Sequence, residues 1–322
     1  LTSSGPAYET FHRLTDNGAP TGVITPIEVL TESDKAADVA QALSKVDGIA
    51  YATATDSKAG GHTIVLAVPD RETVNSQTIK PVHNLIDRTK EIDGVVGIAG
   101  IGPTQIDFLH AVYGNFPLML ALIALLTFIL LARAFRSLLL PFKAVVLNLL
   151  SLAATYGAIT LFWQHGYGSG PIFGIEATGA ITFWVPLMVF AFLYGLSMDY
   201  EVFILARIRE EYDAAASTKS AVIEGIGRTG RLVTSAALIL FLSFVALSTG
   251  PGTDTKVLAT ALGIGILLDA TVVRSMLVPA LVTLFGKWNW YLPAWAARIL
   301  RVEPSIPHEE VDRPGDPVPV KV

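Results

Sequence analysis

Cysteine is absent from the 322 residues, which excludes disulfide frameworks, zinc-thiolate sites and cysteine nucleophiles and says little about compartment. Charge is scarce as well, with Asp, Glu, Lys and Arg making up 16% of the chain against roughly 25% in a soluble domain. The net charge of -5 and the lack of a basic stripe argue against a nucleic-acid partner. No Walker A sequence occurs, so no ATP hydrolysis is read here. The six His are scattered without the spacing of a metal motif, and His62 and His83 read as surface residues. Residue 1 is Leu, and no basic stretch followed by a short apolar run begins the chain. Neither a signal peptide nor a natural start is therefore read, and the chain is expected to be a piece of a longer protein.

What the sequence has in excess is apolar side chains, 52% of the total with a mean hydropathy of +0.52. The excess is uneven: residues 1–110 carry ordinary charges and turn residues, whereas most of it falls between 116 and 284. The first third reads as water-exposed and the rest as lipid-embedded. Within the first third, Tyr8, Phe11 and Leu14 recur at helical spacing over 3–17 before Asn17-Gly18-Ala19-Pro20 breaks the pattern. Strands are predicted over 22–32, 49–54, 62–68 and 94–101, with helices over 35–44 and 77–92. That order is βαββαβ, an α+β ferredoxin-like fold with helices on one face of a sheet.

Five apolar runs follow, over 116–132, 138–163, 181–206, 232–247 and 257–284. At about 1.5 Å per residue, runs of about 17 to 25 residues cross a hydrocarbon core about 30 Å thick. Each is long enough, the fourth narrowly. The fifth is longer than needed, so Arg274 is read as marking the inner interface. The expected organisation is a porter-like domain over 1–110, a five-helix membrane domain over 111–290 and a disordered tail over 291–322, Pro-rich from 304. Arg133, Arg136 and Lys143 lie between the first two runs without an acid, and Arg207, Arg209, Lys219, Arg228 and Arg231 lie between the third and fourth. The Gly-rich loop 164–180 has no Lys or Arg. The positive-inside rule then puts the N-terminal domain on the extracytoplasmic side of the cytoplasmic membrane and the tail inside.

Packing alone explains Gly195-Leu196-Ser197-Met198-Asp199-Tyr200-Glu201-Val202-Phe203 least well. Asp199 lies about 12 Å deeper than Arg207. An Asp at a span centre costs about 2.5 to 3.5 kcal/mol, so it is expected to face the bundle interior, with a partner or a water path. Reversible protonation is the chemistry read for it, with Tyr200 as a donor to the carboxylate and Ser197 as a bridge to water. The bland alternative is a buried pair that only staples two helices. Glu201, about 200 degrees further round the helix, is expected to face another helix or headgroups. Asp269 and Arg274 are about 140 degrees apart on a regular helix and are not expected to pair. Arg274 is read as snorkelling to the interface and Asp269 as needing an interhelical partner, a structural role coming first for both. Thr234, Ser235 and Ser243 read as packing glue across the bundle. The run Gly225-Ile226-Gly227-Arg228-Thr229-Gly230 matches G-x-G-x-x-G, but no strand precedes it. It reads as a helix and turn before the fourth run, not as a nucleotide site.

Three stretches in order carry a family resemblance: 195–203 with Arg207-Ile208-Arg209-Glu210-Glu211-Tyr212, then Arg228-Thr229-Gly230-Arg231 with Thr234-Ser235-Ala236-Ala237, then Asp269-Ala270-Thr271-Val272-Val273-Arg274 with Leu277-Val278-Pro279-Ala280-Leu281. The chain resembles the C-terminal half of a mycobacterial membrane protein large (MmpL) transporter of the resistance-nodulation-division superfamily. The resemblance implies export of lipids or other hydrophobic molecules driven by the proton gradient, with protons as coupling ion and no cofactor. It implies that Asp199 and Tyr200 are one half of a proton relay whose matching Asp-Tyr pair sits in an N-terminal half, and that Phe203 packs beside that relay. Ser197, Asp269 and Arg274 are the supporting residues. The partners implied are that N-terminal half, membrane lipid and a hydrophobic substrate, with a homo-oligomer left open. Two alternatives remain: a non-transporting membrane scaffold or assembly subunit, and a SecD/SecF-like protein-export accessory.

Overall fold

The computed structural model describes residues 5–73, 79–215 and 217–305. Its elements run α1 (Pro6–Asp16), β1 (Ile27–Glu32), α2 (Ala36–Leu43), β2 (Ile49–Ala59), β3 (His62–Pro69), α3 (Lys80–Thr89), β4 (Val95–Ala99), α4 (Ile101–Phe108), α5 (Phe116–Phe135), α6 (Leu139–Ile159), α7 (Ser169–Phe173), α8 (Val185–Ala215), α9 (Thr218–Ser248), α10 (Thr253–Leu268), α11 (Val278–Phe285) and α12 (Ala294–Leu300). They form two compact units, Leu1–Pro117 with Leu161–Phe183, and Leu118–Thr160 with Trp184–Val322.

The first unit is built on an antiparallel sheet of order β2-β3-β1-β4, the ferredoxin-like arrangement expected from βαββαβ. Strict alternation in β1 turns Ile27, Val29 and Thr31 inward and Glu28, Leu30 and Glu32 outward. Val39 and Leu43 of α2, with Val82 and Leu85 of α3, close over Ile27, Val29, Val65 and Ala67. Burial of one sheet face, rather than local propensity, therefore fixes the register. The strand predicted from 22 begins at Ile27, because Thr21–Ile24 winds into a 3-10 turn and Pro26 has no N–H to give a ladder. The helix predicted over 77–92 is Lys80–Thr89; 77 and 78 fall outside the described residues, as do 3 and 4 of the first predicted helix. Residues 161–183 also belong to this unit. Trp163 stacks on Phe173 at 5.4 Å, Thr178 Oγ1 donates to the Trp163 carbonyl at 3.1 Å, and Phe183 meets Phe108 edge-on at 4.9 Å.

Among the described residues, five helical stretches are long and apolar enough to cross a membrane: Ile101–Phe135, Leu139–Gln164, Val185–Ala214, Thr218–Ser248 and Thr253–Trp290. All five predicted spans exist, with shifted ends. The boundary expected at 110 lies inside a continuous helix. The third span starts at Val185, where Pro186 suits a first helical turn, and not at 181. The fourth starts at Thr218, where the Ser217 side chain accepts from the Ser220 amide. The G-x-G-x-x-G stretch is therefore helix throughout, without the turn expected there. The fifth span is interrupted by a π-helical segment, Asp269–Leu277. The tail expected to be disordered from 291 is folded as far as 305: α12 forms, Leu292 pairs with Ser305, and Leu292, Ala296 and Ala297 are buried together against Leu138 and Val302. Residues 306–322 lie outside the described residues.

Candidate functional site

Helix α8 has two faces. One is the buried stripe Tyr194, Ser197, Met198, Glu201, Leu205, Ile208 and Tyr212, spaced by three and four as a 3.6-residue helix requires. The opposite stripe, Phe192, Gly195, Asp199, Phe203 and Ala206, is exposed. Asp199 was expected to face the bundle interior and instead points outward. The physical reason is its phase: Ser197 and Glu201 take the inward face, where Asp269 and Asn148 receive them, and Asp199 lies about 200 degrees round the helix from each. Glu201, two residues and about 200 degrees on, is the carboxylate that goes inward, 4% exposed.

The π-helical segment overturns a second expectation. Hydrogen bonds that run from i to i+5 bring residues five apart onto one face, so Asp269 and Arg274 meet. They form a buried ion pair through Asp269 Oδ2 and Arg274 Nη2, each side chain under 10% exposed. Arg274 is thus inside the bundle and does not snorkel. Asp269 finds the interhelical partner expected for it: Ser197 Oγ donates to its Oδ2 at 2.9 Å, and Arg274 Nη2 also donates to the Ser197 carbonyl at 3.1 Å. The Arg274 guanidinium lies over the Tyr200 ring at 4.9 Å. Ser197, Tyr200, Asp269 and Arg274 line one cleft with Ala237 and Leu240 of α9. Four of the six residues singled out from sequence are therefore one cluster, and Asp199 and Phe203 stand on the opposite face of the same helix.

A second polar group was not foreseen. Asn148 of α6 donates from Nδ2 to Glu201 Oε2 at 3.0 Å, and Glu201 lies within electrostatic reach of Asp269 and Arg274. Lys143, taken from sequence for a loop cation, sits in α6, 8% exposed. Its ammonium donates to Asn289 Oδ1 and to the Leu281 carbonyl. Lys143 and Glu201 line a second cleft together with Leu147 and Leu205. Asn148 is the signal available beforehand, an amide in the middle of an apolar run. Thr234 and Ser243, expected to bond across the bundle, instead donate to the carbonyls of Gly230 and Ile239 in their own helix and are exposed.

The model of the MMPL family matches residues 8–308. The chain belongs to that family. Among MMPL proteins it is 36% identical over 278 residues to the "Heme uptake protein MmpL11" of Mycobacterium tuberculosis, covering 86% of this chain and 28% of that protein. It is 34% identical over 228 residues to the "Trehalose monomycolate exporter MmpL3" of Mycolicibacterium smegmatis, 68% of this chain and 22% of that one. Similarity extends beyond mycobacteria, to the "Membrane protein YdfJ" of Bacillus subtilis at 30% over 287 residues, 85% of this chain and 40% of that protein. The chain thus spans less than a third of the mycobacterial relatives it matches. Family membership and five apolar helices make it a multi-pass membrane protein.

Proposed function

We propose that this chain is the C-terminal half of a proton-motive-force-driven exporter of lipids or other hydrophobic molecules in the cytoplasmic membrane. The first unit is extracytoplasmic in this reading, and Asp199 with Tyr200 is its share of the proton relay. The observation that carries it is the outward stripe of α8. A carboxylate at mid-span costs about 2.5 to 3.5 kcal/mol against lipid, so that face is one for protein or water. Gly195 and Ala206 on the same stripe are small enough to let another helix approach closely. The matching half, with its own Asp-Tyr pair, is the proposed occupant. Two relatives carry lipid export in their names, the trehalose monomycolate exporter and the "Mycolic acid-containing lipids exporter MmpL11" of Mycolicibacterium smegmatis, which supports this substrate class.

The cluster behind Asp199 suits a coupling role. Gain or loss of a proton on Asp199 changes the charge next to Tyr200. The Tyr200 ring rests on Arg274, and Arg274 is tied to Asp269 and to the Ser197 carbonyl. A shift of α8 driven at its outer face is thereby passed to the π-helical segment. In a complete two-half protein, Asp199→Asn is expected to abolish proton-dependent export and leave membrane insertion intact. Retained export would overturn the proposal. A scaffold would instead show unchanged partner binding and no transport to lose.

A further inference from the structure

The segment following α11 is tied to the bundle on one side and carries a mixture of aromatic and cationic side chains on the other. On the inner side Trp290, fully buried, stacks on Tyr212 at 4.0 Å and donates from Nε1 to Thr218 Oγ1 at 2.9 Å. Arg209 lies over the Trp290 ring at 5.5 Å and bonds the Phe135 carbonyl and Ser305 Oγ. Arg133 at the end of α5 donates to the Leu300 carbonyl at 2.5 Å. These ties bring the ends of α5 and α8, the starts of α6 and α9, and α12 to one end of the bundle.

On the outer side three aromatic residues are exposed: Trp288 is 62% exposed, Trp295 63%, and Tyr291 42%. In α12 the exposed face is Trp295, Arg298 and Ile299, at i, i+3 and i+4, opposite the buried Ala296 and Ala297. Lys287, Arg298 and Arg301 are exposed as well. The only acid between 284 and 303 is Glu303, which faces Arg136 at 3.9 Å. Indoles and phenols with one wet end belong at the level of lipid headgroups. Cations beside them add attraction to anionic lipid. Water alone would not favour such a face, and the bare hydrocarbon core would not favour its charges.

We infer that residues 284–301 form a headgroup-level cuff that binds anionic phospholipid. Its tie to α8 runs through Trp290 and Arg209, so the cuff fixes the height in the bilayer of the helix that carries Asp199. The inference is independent of proton coupling.

The test uses the full chain in bilayer nanodiscs of phosphatidylcholine with and without phosphatidylglycerol. Fluorescence is taken as the difference between the wild type and Trp288→Phe/Trp295→Phe, which isolates the two exposed indoles. Lipids brominated next to the glycerol backbone should quench that signal more than lipids brominated near the chain ends. Lipids retained on the protein should be enriched in phosphatidylglycerol at least about fivefold, the preference one near-surface cation supplies. The enrichment should vanish in Lys287→Gln/Arg298→Gln/Arg301→Gln and persist in the charge-preserving Lys287→Arg/Arg298→Lys/Arg301→Lys. Deeper quenching outrunning shallow quenching, absence of both, or enrichment that survives the neutral triple variant would overturn it.

Discussion

In the N-terminal unit the innermost side chains are Ile27, Val29, Leu43, Val65 and Leu85, none of them exposed, and the ion pairs Arg88–Glu91 and Lys90–Asp87 lie outside. In the helical unit the arrangement is reversed: Leu118, Leu122, Leu126, Ile239 and Leu242 are all more than half exposed, whereas Lys143, Glu201, Asp269 and Arg274 are buried. The difference teaches what each unit folds against. Water drives apolar groups inward in the first. Lipid offers apolar groups no such drive, so in the second the polar contacts and close packing carry the specificity.

The largest effect that would break this comparison lies in the bundle. Arg274→Gln leaves Asp269 buried with Ser197 alone. Removing one member of a buried pair costs about 3 to 5 kcal/mol. A loss of that size in detergent thermal unfolding is expected, with partial recovery in Asp269→Asn/Arg274→Gln, where no lone charge remains. An unchanged midpoint in the single variant would show that the pair is not desolvated. In the other unit, Leu85→Ala removes a side chain with no exposure from the core that α3 closes. The expected cost is about 2 to 5 kcal/mol, read as lost amide protection in β1 and β3 with the bundle unaffected. A bundle that melts along with the sheet would deny the two units their separate cores.

The comparison also explains what sequence could and could not say. The sheet was legible because a half-buried strand writes its environment into every second residue, as Ile27, Val29 and Thr31 do. The spans were legible because lipid tolerates long apolar runs, but their ends were not, since α8 continues beyond its apolar run through Arg207, Arg209 and Asp213 and α9 begins before its own, at Thr218. The candidate cluster was half legible. The cost of charge in lipid pointed to Asp199, Asp269 and Arg274 as a class, yet says nothing of which way a side chain points. The phase of α8 was readable from Tyr194, Ser197, Met198, Glu201 and Leu205, and it sends Asp199 outward. The Asp269–Arg274 pair was hidden because a period of 3.6 was assumed where the backbone adopts a π segment. Lys143 was misread because a cation near a loop and a cation one turn inside a helix look alike in sequence.

Close packing in the bundle gives a smaller test. Gly225 sits where α9 crosses α8. A Cβ there would meet Ile208 Cα and N at 3.0 Å and its Cγ1 at 2.8 Å, and backbone cannot yield as a side-chain tip can. Gly225→Ala should therefore destabilise the helical unit by about 1 to 3 kcal/mol, although alanine is the better helix former. A stabilised Ala variant would mean that the two helices can separate at no cost, and that the G-x-G-x-x-G stretch is not there to allow their approach.

The smallest effect belongs to the water-facing unit, where an ion pair should matter little. A hydrogen bond from the Lys35 ammonium, then its charge, holds the Asp93 carboxyl below its ordinary value, and the same bond raises Lys35. Asp93 is depressed in the folded state, so its contribution is present above the unfolded carboxylate value and is lost as pH falls through the folded one. Lys35 loses its share only as pH rises past its own raised value, which leaves neutral pH on the plateau for both. The pair joins the start of α2 to the start of β4, beside the bond from the Glu32 amide to the Gly94 carbonyl at 2.9 Å. In the full chain, Asp93→Asn should lower the exchange protection of the Glu32 amide slightly at neutral pH. The Asp93 side chain is 90% exposed, so high salt should shrink the difference by screening, and acid below the folded value of Asp93 should remove it. A difference that persists in acid would mean that the contact acts through shape rather than charge, and that even the water-facing unit depends on polar fit in the way the bundle does.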